Sequence, residues 1–111
     1  MAIASVNPAV LQTVKTFEAL DDAALERKLA LSARAFERHR ATSFEERAAR
    51  LNRAAEIIEA DKRRYAELAV IEMGKPIRQA IAEVEKCASV CRYYAANGAA
   101  MLAEERVASD A

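Results

Sequence analysis

The residues best suited to chemistry in this chain lie between Gly74 and Tyr94. Cys87 and Cys91 stand four apart, which puts two thiols on one face of a helix. As metal ligands they would supply two sulfurs and need two further donors. The single histidine, His39, is far away in sequence. A nucleophilic thiol needs a neighbouring base or a helix N-terminus to lower its pKa, and both cysteines fall in mid-helix without either. A disulfide between them would distort the helix and require an oxidising compartment. Small apolar packing is the reading their positions favour.

Gly74-Lys75-Pro76 resembles the end of a phosphate-binding loop only superficially. The upstream glycine and preceding strand are missing, and proline follows the lysine where Ser or Thr must bind magnesium. A junction between two helices is the better account. Arg92-Tyr93-Tyr94 could offer stacking surfaces, but Tyr94 borders an apolar seam and reads as core or interface packing. Glu83, Glu85 and Lys86 read as helix-surface pairs. An acid/base carboxylate pair would need an enclosing cleft.

The elements that must position these residues are mostly helical. The 111 residues carry 53% hydrophobic and 31% charged side chains with only two glycines and two prolines. That composition suits one globular unit with few loops. Much of the apolar content is alanine, which buries little area per residue. A short β-hairpin is expected within 2–18, from Ala2–Val6 and Thr13–Glu18, with Asn7-Pro8 as the turn signal. Leu11 stands where a tight turn would favour glycine. Helices are expected over 22–104. Asp21 or Asp22 caps the first, which runs to about Arg40 on a stripe of Leu25, Leu29, Ala33 and Phe36. Ser43 and Glu46 form a capping box for the second, which uses Phe44, Ala48, Leu51, Ala55 and Ile58. Asp61 marks a restart or a bend, and Tyr65, Leu68 and Ala69 carry the pattern to Met73. Gly74 ends that run and Pro76 opens the last helix, Ile77 to Glu104. Its seam is Ile77, Ile81, Val84, Ala88, Cys91, Ala95, Gly98 and Leu102. The spacing is also that of a heptad repeat, so a small self-associating helical interaction module is the alternative reading.

The formal net charge is zero, with Arg and Lys interleaved among Glu. A nucleic-acid surface would need a one-sided basic field, so no nucleic-acid partner is expected. No apolar run approaches a bilayer span, so no membrane partner is expected. The first residues lack the pattern of a secretory signal, and two cysteines then read as reduced thiols in the cytoplasm.

Four segments, in order, resemble the NAD(P)-dependent aldehyde dehydrogenase family, closest to its succinate-semialdehyde subgroup. They are Asn7-Pro8-Ala9 with Val14-Lys15-Thr16-Phe17, then Ser43-Phe44-Glu45-Glu46-Arg47-Ala48, then Glu72-Met73-Gly74-Lys75-Pro76, and finally Glu83–Ala88 with Val90-Cys91-Arg92-Tyr93-Tyr94. The chain departs from the pattern at Leu11, which replaces the hairpin glycine, and at Ser89, where the subgroup often has tryptophan. Gly98 also departs, costing about 1 kcal/mol in a helix interior relative to alanine.

The resemblance implies a mostly α unit of three to four helices after a short hairpin. Residues 1–111 would be the N-terminal helical part of the cofactor-binding domain in an α/β fold. It implies an enzyme that oxidises an aldehyde, succinate semialdehyde by subgroup, with NAD or NADP. The remainder of the enzyme fold would be the partner, in a homo-oligomer. In the family a cysteine thiolate attacks the carbonyl, hydride passes to the nicotinamide, and a glutamate activates the releasing water. None of those residues has a counterpart here, so no catalytic residue, cofactor or metal is expected on this chain alone. Lys86 and Val90 are the two positions the resemblance places beside the substrate entrance. The apolar positions Leu25, Leu29, Phe36, Ile58, Leu68, Ile81 and Val84 would then have only one another for cover.

Overall fold

The computed structural model describes residues 3–105 and 107–108. It contains a two-stranded antiparallel hairpin, β1 (Ile3–Asn7) and β2 (Gln12–Phe17), followed by four helices: α1 (Asp22–Arg40), α2 (Phe44–Ala60), α3 (Lys62–Met73) and α4 (Ile77–Met101). The architecture expected from the sequence is therefore present. Ala2 lies outside the described residues, and the second strand starts one residue earlier than the pattern suggested.

The hairpin turn shows how the chain closes without glycine. Asn7 Oδ1 accepts from the Ala9 N–H at 2.9 Å, and the Leu11 N–H reaches back to the Asn7 carbonyl at 2.8 Å. Closing that four-residue loop puts Leu11 at φ +56°, in the left-handed region where a Cβ crowds the carbonyl. The ladder is irregular between Ser5 and Val6. The hairpin rests on the end of α3. Ser5 donates to Glu72 at 2.8 Å, and a Cβ on Gly74 would come within 3.2 Å of the Pro8 ring.

Helix boundaries follow local hydrogen bonding. Asp21 accepts from the Ala24 N–H at 2.6 Å to start α1. The capping box is complete at α2: Ser43 Oγ accepts from the Glu46 N–H, and Glu46 Oε2 accepts from the Ser43 N–H. Asp61 separates α2 from α3 but makes no side-chain cap. Its carboxylate accepts from Arg64 instead, at 3.1 Å. Gly74 closes α3 in the left-handed conformation, φ +67°, with its N–H bonded to the Val70 carbonyl. Pro76 sits just outside α4, at the position before its first helical residue. The last helix ends at Met101 rather than Glu104. Two carboxylates at Glu104 and Glu105 would face the negative end of the helix dipole, which disfavours continuation.

Packing is uneven. The broken rod α2–α3 runs antiparallel along α4, and the only buried residues among those described are Ala55, Ala66, Ala80 and Ala88. Alanine at these seams lets backbones approach closely but buries little area. Ile58, Ile81 and Val84 are half-covered between the helices. By contrast α1 buries nothing, and Leu25, Leu29, Phe36 and Leu68 all stay exposed. No described helix is long and apolar enough to cross a membrane.

Candidate functional site

The α4 helix carries every residue singled out for chemistry except His39 and the Gly74-Lys75-Pro76 junction. Its 25 residues are sheathed by α2 and α3 on one side and open on the other. On the covered side Cys91 is half-buried in the seam. On the open side Ala82, Glu83, Lys86, Cys87 and Val90 line a shallow depression. Lys86 and Val90 are thus neighbours on one exposed face, one turn apart. Cys87 is exposed at the edge of this face, also bordering Ile58, Tyr65 and Val84. The two cysteines therefore occupy different environments, although they follow each other by one turn.

His39 is not brought near either thiol. It lies in the last turn of α1, with Nδ1 3.5 Å from an Arg50 guanidinium nitrogen. Among the described residues no three His, Cys, Asp or Glu side chains gather as a metal site would require. Tyr93 and Tyr94 stack edge to face, with ring centroids 5.4 Å apart. Tyr94 then forms one wall of an apolar groove with Phe44 and Leu51. Tyr94 is 52% exposed there, so the described residues do not bury it.

The residues that fix α4 in place include several the sequence pattern did not reveal. Arg92 grips Glu59 with both terminal guanidinium nitrogens, each 2.7 Å from a carboxylate oxygen, and joins α4 to α2. This holds the Glu59 carboxyl below its usual pKa, chiefly through the Arg92 hydrogen bonds. Lys62 joins Glu85 across α3 and α4, and Lys75 pairs with Glu83 at the junction. Glu59 and Arg92 are 33 positions apart, so no helical periodicity connects them. Only the antiparallel register of α2 on α4 brings them together.

The cofactor expected of the family does not fit these residues. A dinucleotide cradle needs a strand, a glycine-rich turn and the N-terminus of a helix in succession. The described strands form an antiparallel pair with no helix between them. Gly74 sits at the C-terminus of α3, where unpaired carbonyls repel phosphate.

Comparison with known proteins agrees with the fold of the hairpin and four helices. The profile described as "Aldehyde dehydrogenase family" matches residues 1–111. The chain belongs to the aldehyde dehydrogenase family. It is 47% identical over 111 residues to a probable NADP(+) succinate-semialdehyde dehydrogenase of Synechocystis sp., covering all of this chain and 24% of that one. It is 44% identical over 105 residues to NADP(+) succinate-semialdehyde dehydrogenase 1 of Mycobacterium tuberculosis, covering 95% of this chain and 23% of the relative. Among solved structures, succinic semialdehyde dehydrogenase from Streptococcus pyogenes in complex with NADP+ superposes with a TM-score of 0.90 at 29% identity, over 98% of this chain and 24% of that one. Gox0499 superposes with a TM-score of 0.93 at 20% identity, over 100% of this chain and 25% of its own, which shows the shared fold. The chain thus spans about a quarter of the length of the relatives it matches. The hairpin and four helices are the N-terminal part of the aldehyde dehydrogenase fold.

Proposed function

We propose that this chain is the N-terminal helical part of the cofactor-binding domain of an NADP-dependent succinate-semialdehyde dehydrogenase, and that it has no dehydrogenase activity by itself. The observation that carries the reading is the 47% identity to the Synechocystis relative across the whole chain. In the assembled enzyme these residues do no bond-making. They supply the hairpin and helical layer against which the catalytic and cofactor-binding parts are seated. Lys86 and Val90, exposed side by side on α4, are the residues of this chain assigned to the neighbourhood of the substrate entrance.

Two preparations test this. The purified chain, mixed with succinate semialdehyde and NADP+ or NAD+, should reduce neither above a no-protein control. Reduction that disappears in Cys87→Ala or Cys91→Ala would overturn the inactivity of the chain. In the second preparation this chain replaces the matching segment of the Synechocystis relative. That chimera should fold, oxidise succinate semialdehyde and use NADP+ in preference to NAD+. An insoluble or inactive chimera would overturn the structural assignment. Exposed apolar stripes on α1 favour one other reading, a self-associating helical module. It predicts a stable oligomer of defined stoichiometry for the isolated chain and no function for the chimera.

A further inference from the structure

The elbow between α1 and α2 holds an open depression of about 640 Å³. Ser32, Arg38 and His39 come to it from the C-terminal half of α1, Thr42 from the break, and Arg50 from the second turn of α2. Ala35 and Phe36 give it an apolar side. The lining thus carries two guanidinium groups and an imidazole, and no carboxylate. Arg50 faces His39 across the elbow, 3.5 Å from Nδ1, although the two are 11 positions apart in sequence.

The neighbouring charges are engaged elsewhere. Arg40 pairs with Glu37, and Arg53 with Glu56. The Glu46 carboxylate is held by the Ser43 N–H in the capping box. Arg38 and Arg50 make no ion pair among the described residues. The depression therefore gathers positive charge from two helices without an acid to neutralise it. The negative end of α1 would ordinarily oppose an anion here. That end is blunted. The His39 carbonyl accepts from Thr42 Oγ1 at 2.7 Å, and the Arg47 guanidinium donates to the His39 and Arg40 carbonyls. The same bonds fix the angle between the two helices, so the cationic groups are held together before any ligand arrives.

The geometry points to a binding site for a small phosphate-bearing anion in this elbow, with Arg38 and Arg50 as its charged ligands and the Ser32 hydroxyl as a neutral donor. A guanidinium presents a planar fork of N–H groups that matches phosphate oxygens two at a time. Two such forks on separate helices suit a dianion better than a single charge. Ala35 and Phe36 leave room beside the phosphate for an organic remainder. The site lies on α1 and α2, apart from the α4 face that carries Lys86 and Val90. It goes beyond the dehydrogenase reading and does not depend on it.

Inorganic phosphate is the probe. It is titrated into the full chain at constant ionic strength, set with chloride so that general screening stays fixed. Amide chemical shifts should move saturably and only around the elbow, from Ser32 to Arg50. Hydrogen exchange at Ala35–Arg40 should slow as the site fills, because a ligand that binds only the folded elbow stabilises it. Arg38→Gln and Arg50→Gln should each weaken binding at least tenfold. Arg53→Gln removes the same charge about one turn further along α2, outside the depression, and should stay within twofold of the parent. Shifts that rise without saturating, or an equal loss in Arg53→Gln, would reduce the effect to diffuse attraction and overturn the site. Equilibrium dialysis of the chimera with the Synechocystis relative gives the second measurement. The parent chimera should retain one phosphate more than its Arg50→Gln variant. Equal retention would show that the elbow is closed in the assembled enzyme and would overturn the site there. Neither readout uses dehydrogenase activity, so failure of the site leaves the proposed function standing.

Discussion

Leu11 holds a backbone conformation that its side chain opposes. Its φ of +56° costs roughly 1–2 kcal/mol in a residue with a Cβ. The side chain is 81% exposed and recovers little by burial. Leu11→Gly removes the strain at the expense of a more flexible unfolded chain, leaving a net gain of about 1 kcal/mol. Hydrogen exchange at the laddered amides of β1 and β2 should slow about fivefold. Unchanged or faster exchange would show that the turn is not strained. A different residue-scale test concerns Glu59 and Arg92. The folded pKa of Glu59 is depressed below 4.5, chiefly by the Arg92 hydrogen bonds. The unfolded chain therefore binds the proton first as pH falls. The pair's stabilisation is fully present above pH 4.5 and disappears as pH drops through the lower folded value. Both side chains are still about half open to water, so the contribution is small and screened by salt. Arg92→Met should be less stable than the parent at neutral pH in low salt. The two should converge in acid and in 1 M salt. A difference that persists in acid would assign the effect to packing of the arginine stem.

Element boundaries were legible in the sequence wherever one or two local hydrogen bonds decide them. Asp21, the Ser43–Glu46 box and Gly74 are caps formed by residues within four positions of one another, and each stands where its residue type indicated. The Asp61 break was ambiguous because its carboxylate has a competing partner in Arg64. Partners between elements were not legible. The apolar stripe on α1 named no partner element, and no residue of α1 is buried. Its order depends on its ends. At the C-terminal end the Arg47 guanidinium donates to the His39 and Arg40 carbonyls, each at 3.2 Å, and to Thr42 Oγ1 at 3.1 Å. It also lies over the Phe44 ring. An arginine following a Thr-Ser break was the available sequence signal, and helical periodicity did not detect it. Arg47→Met keeps the apolar stem and removes these bonds, at a cost of about 1.5–3 kcal/mol. Most helical stability in proteins comes from tertiary packing, and α1 has no buried residue. Amides of Ala35–Arg40 should therefore lose protection, while those in the middle of α4 do not. Equal loss in both helices would mean that α1 is stabilised by packing instead.

The whole molecule is too open for a stable domain of its size. Its radius of gyration is 19.8 Å and it extends 66 × 40 × 27 Å. A compact chain of this length would have a radius near 13 Å. Its accessible surface is 9330 Å², against about 6100 Å² for a compact protein of this mass. Four alanines make up the buried set among the described residues, and no large side chain is fully buried. Each Leu, Ile or Phe left open forgoes about 1.5–3 kcal/mol of burial, while a whole domain is typically stable by about 5–15 kcal/mol. Leu25, Leu29, Phe36 and Leu68 are in that condition together. The 53% hydrophobic composition overstates the core, as the alanine content indicated, because alanine inflates the apolar fraction without supplying core volume. The isolated chain should therefore be a loose helical ensemble or a self-associated species. Circular dichroism should show helix that melts gradually on heating. Sedimentation should show concentration-dependent mass, and a dye specific for apolar surface should bind. Joined to the rest of an aldehyde dehydrogenase, the same residues should melt cooperatively with it, because the faces left open here are then covered. A monomer with a sharp thermal transition and no dye binding would show that the alanine seams suffice on their own.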